Sequence, residues 1–164
     1  MPKPRPKSPH LASLPRDRRS ARALDLRAFV PAALTLLAHK ISASASAAYR
    51  PRFGVGVTDW RLMALLAAEP WIVPVRIAES TGLDKAAVSR ALRNLRAAGL
   101  VEASAEPSRR RGVFALTTRG LALHDELAEA ARERQRQLLH GFTAAERELL
   151  QQFVDRMLIA AARM

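Results

Sequence analysis

Cysteine is absent from the 164 residues. That removes disulfide frameworks, thiolate zinc sites and thiol-based redox sensing together. Histidine is sparse, and His10, His39, His124 and His140 share no metal-ligand spacing, so neither a metal nor a cofactor is expected. Long apolar runs are missing as well. The longest, Phe29 to Tyr49, is interrupted by His39-Lys40 and continues through Ser-Ala repeats, which is too polar for a transmembrane helix. The first residues lack the apolar core of a signal peptide. They are Arg-rich and acid-poor, yet Pro2, Pro4, Pro6, Pro9 and Pro15 oppose the amphipathic helix of a transit peptide. A soluble cytoplasmic protein is expected. There is no nucleophile turn, no metal motif and no Gly-rich phosphate loop, so no enzyme is expected either.

Acidic residues are outnumbered, 15 against 27 Lys and Arg, leaving a net charge of +12. Such a balance favours a polyanionic partner, either nucleic acid or an anionic membrane surface. With 49% hydrophobic residues, a chain of this length can bury one sizeable core. The charge is unevenly placed. Residues 1–22 carry +6, residues 23–49 carry +1, residues 50–119 carry another +6, and residues 120–164 carry −1. The first 22 residues are Pro-rich with few apolar side chains and read as a disordered basic tail. That tail is either a solubilising arm or an arm that lies along phosphates.

Helical spacing of Leu26, Val30, Ala33, Leu34, Leu37 and Ile41 predicts a helix from about Leu24 to Tyr49, with Pro31 near its first turn and a break just before Pro51. Thr58 is the expected cap of a second helix over "DWRLMALLAAE". Leu62, Met63, Leu65 and Leu66 would point inward there, with Trp60 at the edge and Pro70 as the stop. A short helix over "VRIAEST" should end at Gly82. Asp84 should cap "KAAVSRALRNLRAAG", which closes at Gly99. Strands near Leu100–Ala105 and Val113–Leu116 then form a β-hairpin whose turn bears Arg109-Arg110-Arg111. A long helix to about His140 follows. Gly141 breaks it, and Thr143 with Glu146 forms a capping-box start for a last helix.

Two helices joined by a tight glycine turn and followed by a hairpin is the order of a winged helix-turn-helix. Ala78 is small where two helices approach, Gly82 suits a positive φ, and Val88 packs the second helix back. On that second helix Val88, Ala91, Leu92 and Leu95 form an apolar stripe. Ala86, Ser89, Arg90 and Arg93 form the opposite one, with Lys85 and Arg96 nearby. Small residues allow close approach to a major groove, and arginine offers a fork to guanine O6 and N7. The plainer alternative is an amphipathic helix with a solvated basic face.

In order along the chain, "VTDWRLMALLA", "IAESTGLDKAAVSRALRNLRAAGLVE", "EPSRRRGVFALTTRG" and "FTAAERELLQQF" resemble the MarR family of bacterial transcriptional regulators. The resemblance runs from about Leu34 to the C-terminus. It implies a mainly α fold with a small β-hairpin wing: one domain over 23–164, a DNA-binding lobe over about 56–118, and dimerisation helices over about 23–50 and 118–163. It implies a homodimer on pseudo-palindromic double-stranded DNA, acting as a repressor. Lys85, Ala86, Ser89, Arg90, Arg93, Arg109, Arg110 and Arg111 would be the DNA contacts. Leu121, Leu127, Leu138, Leu139, Phe153 and Met157 are expected both in the intrachain core and at the dimer interface. The family's wing pattern is Asp-x-Arg-Asp-Arg-Arg. Here Glu106 replaces the first acid, Ser108 and Arg109 depart, and Arg110 and Arg111 match. The inner acid that steadies neighbouring arginines in the family is thus an arginine in this chain. Many family members release DNA on binding small aromatic acids or phenolics, and by position His39, Trp60 and Arg61 are the effector-binding candidates. Two other readings stay open at this point: a sequence-indifferent nucleic-acid or nucleoid-associated protein, and a protein-interaction module.

Overall fold

The computed structural model describes residues 24–26, 28–104 and 112–164. The chain divides into two compact units, Met1–Ile41 and Ser42–Met164. Six helices and one antiparallel hairpin follow in the order α1 (Val30–Phe53), α2 (Val57–Ala68), α3 (Pro74–Thr81), α4 (Lys85–Ala97), β1 (Val101–Ser104), β2 (Val113–Leu116), α5 (Thr118–Leu138) and α6 (Ala144–Ala161). This is the mainly α architecture with a β-hairpin that the residue pattern predicts.

In the first unit, the Phe29 N–H donates to Asp25 O at 3.0 Å just ahead of α1. Pro31 lies in the first turn of that helix, where its missing N–H costs nothing. The large apolar side chains described here, including Leu34, Leu37 and Ile41, are exposed.

The second unit holds the core. Leu62, Met63 and Leu66 of α2, Ile77 of α3, Val88 and Leu95 of α4, and Leu127 of α5 are all essentially inaccessible. Burial of each such side chain is worth about 1.5–3 kcal/mol, and α2 is the element that α3, α4, α5 and β2 all pack against. Leu65 is half-buried rather than fully inward.

Several expectations change on contact with the structure. Helix α1 does not stop before Pro51; it runs through it to Phe53. Tyr49 and Phe53 pack into the core on either side of the proline, and this packing offsets the lost hydrogen bond. Gly54, at φ 72, makes the actual stop and donates to Arg50 O. Gly56, not Thr58, is the N-cap of α2, because the Asp59 carboxylate reaches back to the Gly56 N–H at 2.9 Å. Helix α5 ends at Leu138, two residues early. The intrachain-core role expected of Leu121, Leu138, Phe153 and Met157 is not realised. All four are exposed, Leu139 is only half-buried, and of this set Leu127 alone is buried. No residue of α6 is buried either, and Val154 is its one half-buried side chain.

Candidate nucleic-acid interface

The helix pair α3–α4 is built by local signals that agree. Pro74 opens α3 and Gly82 closes it in the left-handed conformation at φ 67. Two residues later the Asp84 carboxylate accepts the Ala87 N–H at 2.8 Å, satisfying one of the free donors at the start of α4. Gly99, at φ 67, turns the chain out of α4, and Leu100 N–H returns to Leu95 O at 2.9 Å.

Packing then decides which face of α4 looks outward. Val88, Ala91, Leu92 and Leu95 are buried against the rest of the unit. The opposite stripe is forced into solvent, and Lys85, Ala86, Ser89, Arg90 and Arg93 are all exposed. Ala86 and Ser89 leave the middle of that face low, with cationic side chains around them. Arg93 donates through Nη1 to Ser89 Oγ at 2.8 Å, which holds its guanidinium along the helix. The structure thus brings together five of the eight residues expected to contact DNA. Arg109, Arg110 and Arg111 lie outside the described residues.

The hairpin packs on α4 through β1. Val101 pairs with Leu116 and Ser104 with Val113. Val113, Ala115 and Leu116 are buried while Phe114 is half-buried. A third, one-residue partner joins the hairpin: Ile72 bridges Phe114 antiparallel, with N···O distances of 3.0 and 3.3 Å. Ile72 follows Trp71, which is exposed and holds φ 61, an uncommon backbone for a bulky residue. One residue between a proline-ended helix and a new helix is too short to leave a strand pattern in sequence.

Of the effector candidates, Trp60 is half-buried between two rings. It stacks on His124 with centroids 5.4 Å apart, and it meets Tyr49 edge-on at 6.4 Å. Its packing role at the helix edge is therefore realised. Arg61 is exposed, and His39, which belongs to the first unit, is exposed as well. A cleft of about 460 Å³ lies elsewhere in the second unit. Tyr49, Arg52 and Phe53 of α1 line it together with Glu129, Glu133 and Arg134 of α5. Arg52 sits 4.7 Å over the Phe53 ring and Arg134 5.9 Å over that of Tyr49. Arg134 also donates to Ser44 Oγ at 2.8 Å. Glu129 is paired with Arg132 and Glu133 with Arg136. Sequence reasoning missed this cleft because its two walls are far apart in the chain.

Among the described residues no helix is long and apolar enough to cross a membrane, and no group of His, Asp or Glu side chains could hold a metal ion.

Comparison with known proteins agrees with this geometry. A family model described as MarR family matches residues 53–112, from the last residue of α1 to the residue before β2. No curated protein matches the chain. Among solved structures, a MarR/EmrR family transcriptional regulator from Acinetobacter sp. ADP1 is 30% identical. The match covers 86% of this chain and 100% of that one, with a TM-score of 0.81. The PcaV transcriptional regulator from Streptomyces coelicolor, solved with its natural ligand, is 22% identical, with 85% and 98% covered and a TM-score of 0.71. MepR from S. aureus, solved with DNA, is 20% identical, with 80% and 95% covered and a TM-score of 0.70. The winged helix-turn-helix, its exposed basic helix and the 30% identity to the Acinetobacter regulator over 86% of this chain lead to one conclusion: the chain belongs to the MarR family of transcriptional regulators.

Proposed function

We propose that this protein is a homodimeric, sequence-specific repressor that acts in the cytoplasm on a pseudo-palindromic operator. The observation that carries the reading is the exposed stripe of α4, where Ala86 and Ser89 leave room for a base edge and Lys85, Arg90 and Arg93 surround them. In this proposal α4 enters the major groove, with Arg90 and Arg93 reading bases. Arg109, Arg110 and Arg111, which lie between β1 and β2 in the sequence, are proposed to reach the adjacent minor groove, where positive charge matters more than a base code. MepR is known bound to DNA, which supports carrying this role over.

Dimerisation is supported by what the monomer leaves uncovered. Leu149, Leu150, Phe153, Met157 and Leu158 of α6 are all exposed, an apolar stripe of the kind that ordinarily lies in an interface. The near-neutral charge of residues 120–164 suits such a contact. PcaV was solved with its natural ligand, and a small aromatic acid or phenolic is the effector class proposed here. The cleft lined by Tyr49, Phe53, Arg52 and Arg134 suits an aromatic carboxylate better than His39, Trp60 and Arg61 do. It offers the half-buried Phe53 ring and two arginines, Arg52 and Arg134, without acidic partners among the described residues, while its Glu129 and Glu133 are already paired with Arg132 and Arg136.

The test is selection of duplexes from a randomised pool, followed by footprinting. A two-fold symmetric footprint, with half-sites about one helical turn apart, is expected. Equal binding to all sequences would overturn the proposal in favour of a sequence-indifferent DNA-binding protein.

A further inference from the structure

Three consecutive backbone carbonyls follow α4, that of its C-cap Ala98 and those of Gly99 and Leu100 in the turn after it, and the start of α5 engages all three. Arg119 Nη1 donates to Ala98 O at 2.9 Å. The Thr117 hydroxyl donates to Gly99 O at 2.8 Å, and the Thr117 N–H donates to Leu100 O at 3.1 Å. Gly120 lies so close to the same corner that a Cβ on it would stand 2.0 Å from Leu100 O. The Thr117 oxygen also accepts the Gly120 N–H at 3.0 Å. One side chain therefore caps α5 and grips the end of α4.

The chemistry of a helix end explains the strength of this arrangement. The last carbonyls of a helix lack intrahelical donors and carry the negative end of its dipole. A guanidinium answers both needs at once. Arg119 is exposed, and among the described residues its one polar contact is the Ala98 carbonyl. Helix α4 otherwise packs on α2, α3 and β1, whereas α5 packs on α2 and β2. The contact at residues 98–100 is a direct link between the two helices.

We infer that Thr117, Arg119 and Gly120 form a latch that fixes the angle of α4 against α5, making Arg119 a positioning residue for operator spacing. The inference rests on the dimeric operator reading above. If α5 belongs to the dimerisation region, the angle at this corner sets how far apart, and at what rotation, two α4 helices meet one duplex. A rigid corner rejects half-sites at the wrong spacing; a loose one tolerates them.

The experiment measures a ratio. Wild-type protein, Arg119→Met and Arg119→Lys are titrated with a duplex selected by the wild type. Each is then titrated with the same half-sites set one base pair further apart, a change that rotates one of them by about 35°. The wild type should favour the selected spacing. In Arg119→Met that preference should fall by about tenfold, the order expected for losing one charge-assisted hydrogen bond, and Arg119→Lys should restore part of it. Loss of charge or of folded protein lowers both affinities alike and leaves the ratio untouched. An unchanged ratio in Arg119→Met overturns the latch, as does a monomeric Arg119→Met in sedimentation, which would place Arg119 in the dimer contact. A wild-type ratio near one overturns the operator reading itself and the latch with it.

Discussion

Arg93 donates a hydrogen bond to the Ser89 hydroxyl one turn earlier on α4, at 2.8 Å, and both side chains face solvent. An exposed arginine ordinarily loses rotamer freedom when it docks, and this bond removes part of that loss beforehand. Arg93→Ala should therefore cost about 1–3 kcal/mol on the selected operator and relax preference at one base pair in each half-site. Ser89→Ala should weaken the selected sequence several-fold while leaving bulk DNA binding unchanged. A full substitution profile of the operator checks both. Equal loss on all sequences would assign Arg93 to phosphate.

The turn arginines should behave in the opposite way. Arg110→Ala or Arg111→Ala should weaken binding about evenly across sequences, and each should lower the slope of log affinity against log salt by about 1. Titrations at several salt concentrations decide this. A changed sequence profile with an unchanged slope would move the base-reading role from α4 to the hairpin turn.

Gly120→Ala tests the corner through stability. The added Cβ would meet Leu100 O at 2.0 Å and Leu100 C at 3.0 Å, and both are backbone atoms that cannot swing aside. A loss of about 3 kcal/mol or more is expected, read as a fall in the denaturation midpoint. Gly82→Ala, where a Cβ would meet nothing within 4 Å, should cost only the smaller penalty of its φ of 67, about 1 kcal/mol.

These contrasts also mark how much of the molecule its sequence discloses. Gly82, Asp84 and Gly99 each act on residues within a turn of themselves, so the limits of α4 and its exposed basic face could be read in advance. The Arg119–Ala98 bond could not, because its acceptor is a carbonyl that every residue possesses. The Trp60–His124 stack joins residues far apart in the chain and has no local period. Pro51 misled for the converse reason: local chemistry argued for a break, and the burial of Tyr49 and Phe53 overrode it. Apolar spacing showed that α6 has an apolar stripe but not whether the same chain covers it.

The pH response of the C-terminal helix follows from its cap. Glu146 has its pKa lowered, first by the Thr143 backbone N–H and then by the Thr143 hydroxyl. Glu133 is lowered by Arg136 and then Gln137. A carboxylate with a depressed folded pKa contributes stability that is complete above its unfolded value and is lost as pH falls through the folded one. Protection of α6 amides should therefore be constant near neutrality and decline only below the ordinary glutamate range. Carboxyl NMR titration should show Glu146 returning part of the way in Thr143→Ala, since the larger cause is backbone and survives. A complete return would assign the shift to the hydroxyl.

The exposed stripe on α6 yields the sharpest test of assembly. Phe153 is 46% exposed and Leu149 47% exposed, and no residue of α6 is buried within its own chain. Placing a carboxylate there should leave the core of Leu62, Ile77 and Leu127 intact. In a dimer the same carboxylate would be desolvated in an apolar contact, and pairing with Arg156, which lies 6.0 Å over the Phe153 ring, would not repay that desolvation, a cost of about 2 kcal/mol or more at each copy. Phe153→Glu should thus convert the dimer to a folded monomer in sedimentation equilibrium, with a denaturation midpoint that no longer depends on protein concentration. Affinity for a single half-site should persist, while affinity for the full operator drops to the same level. A Phe153→Glu protein that remains dimeric would exclude this stripe as the interface.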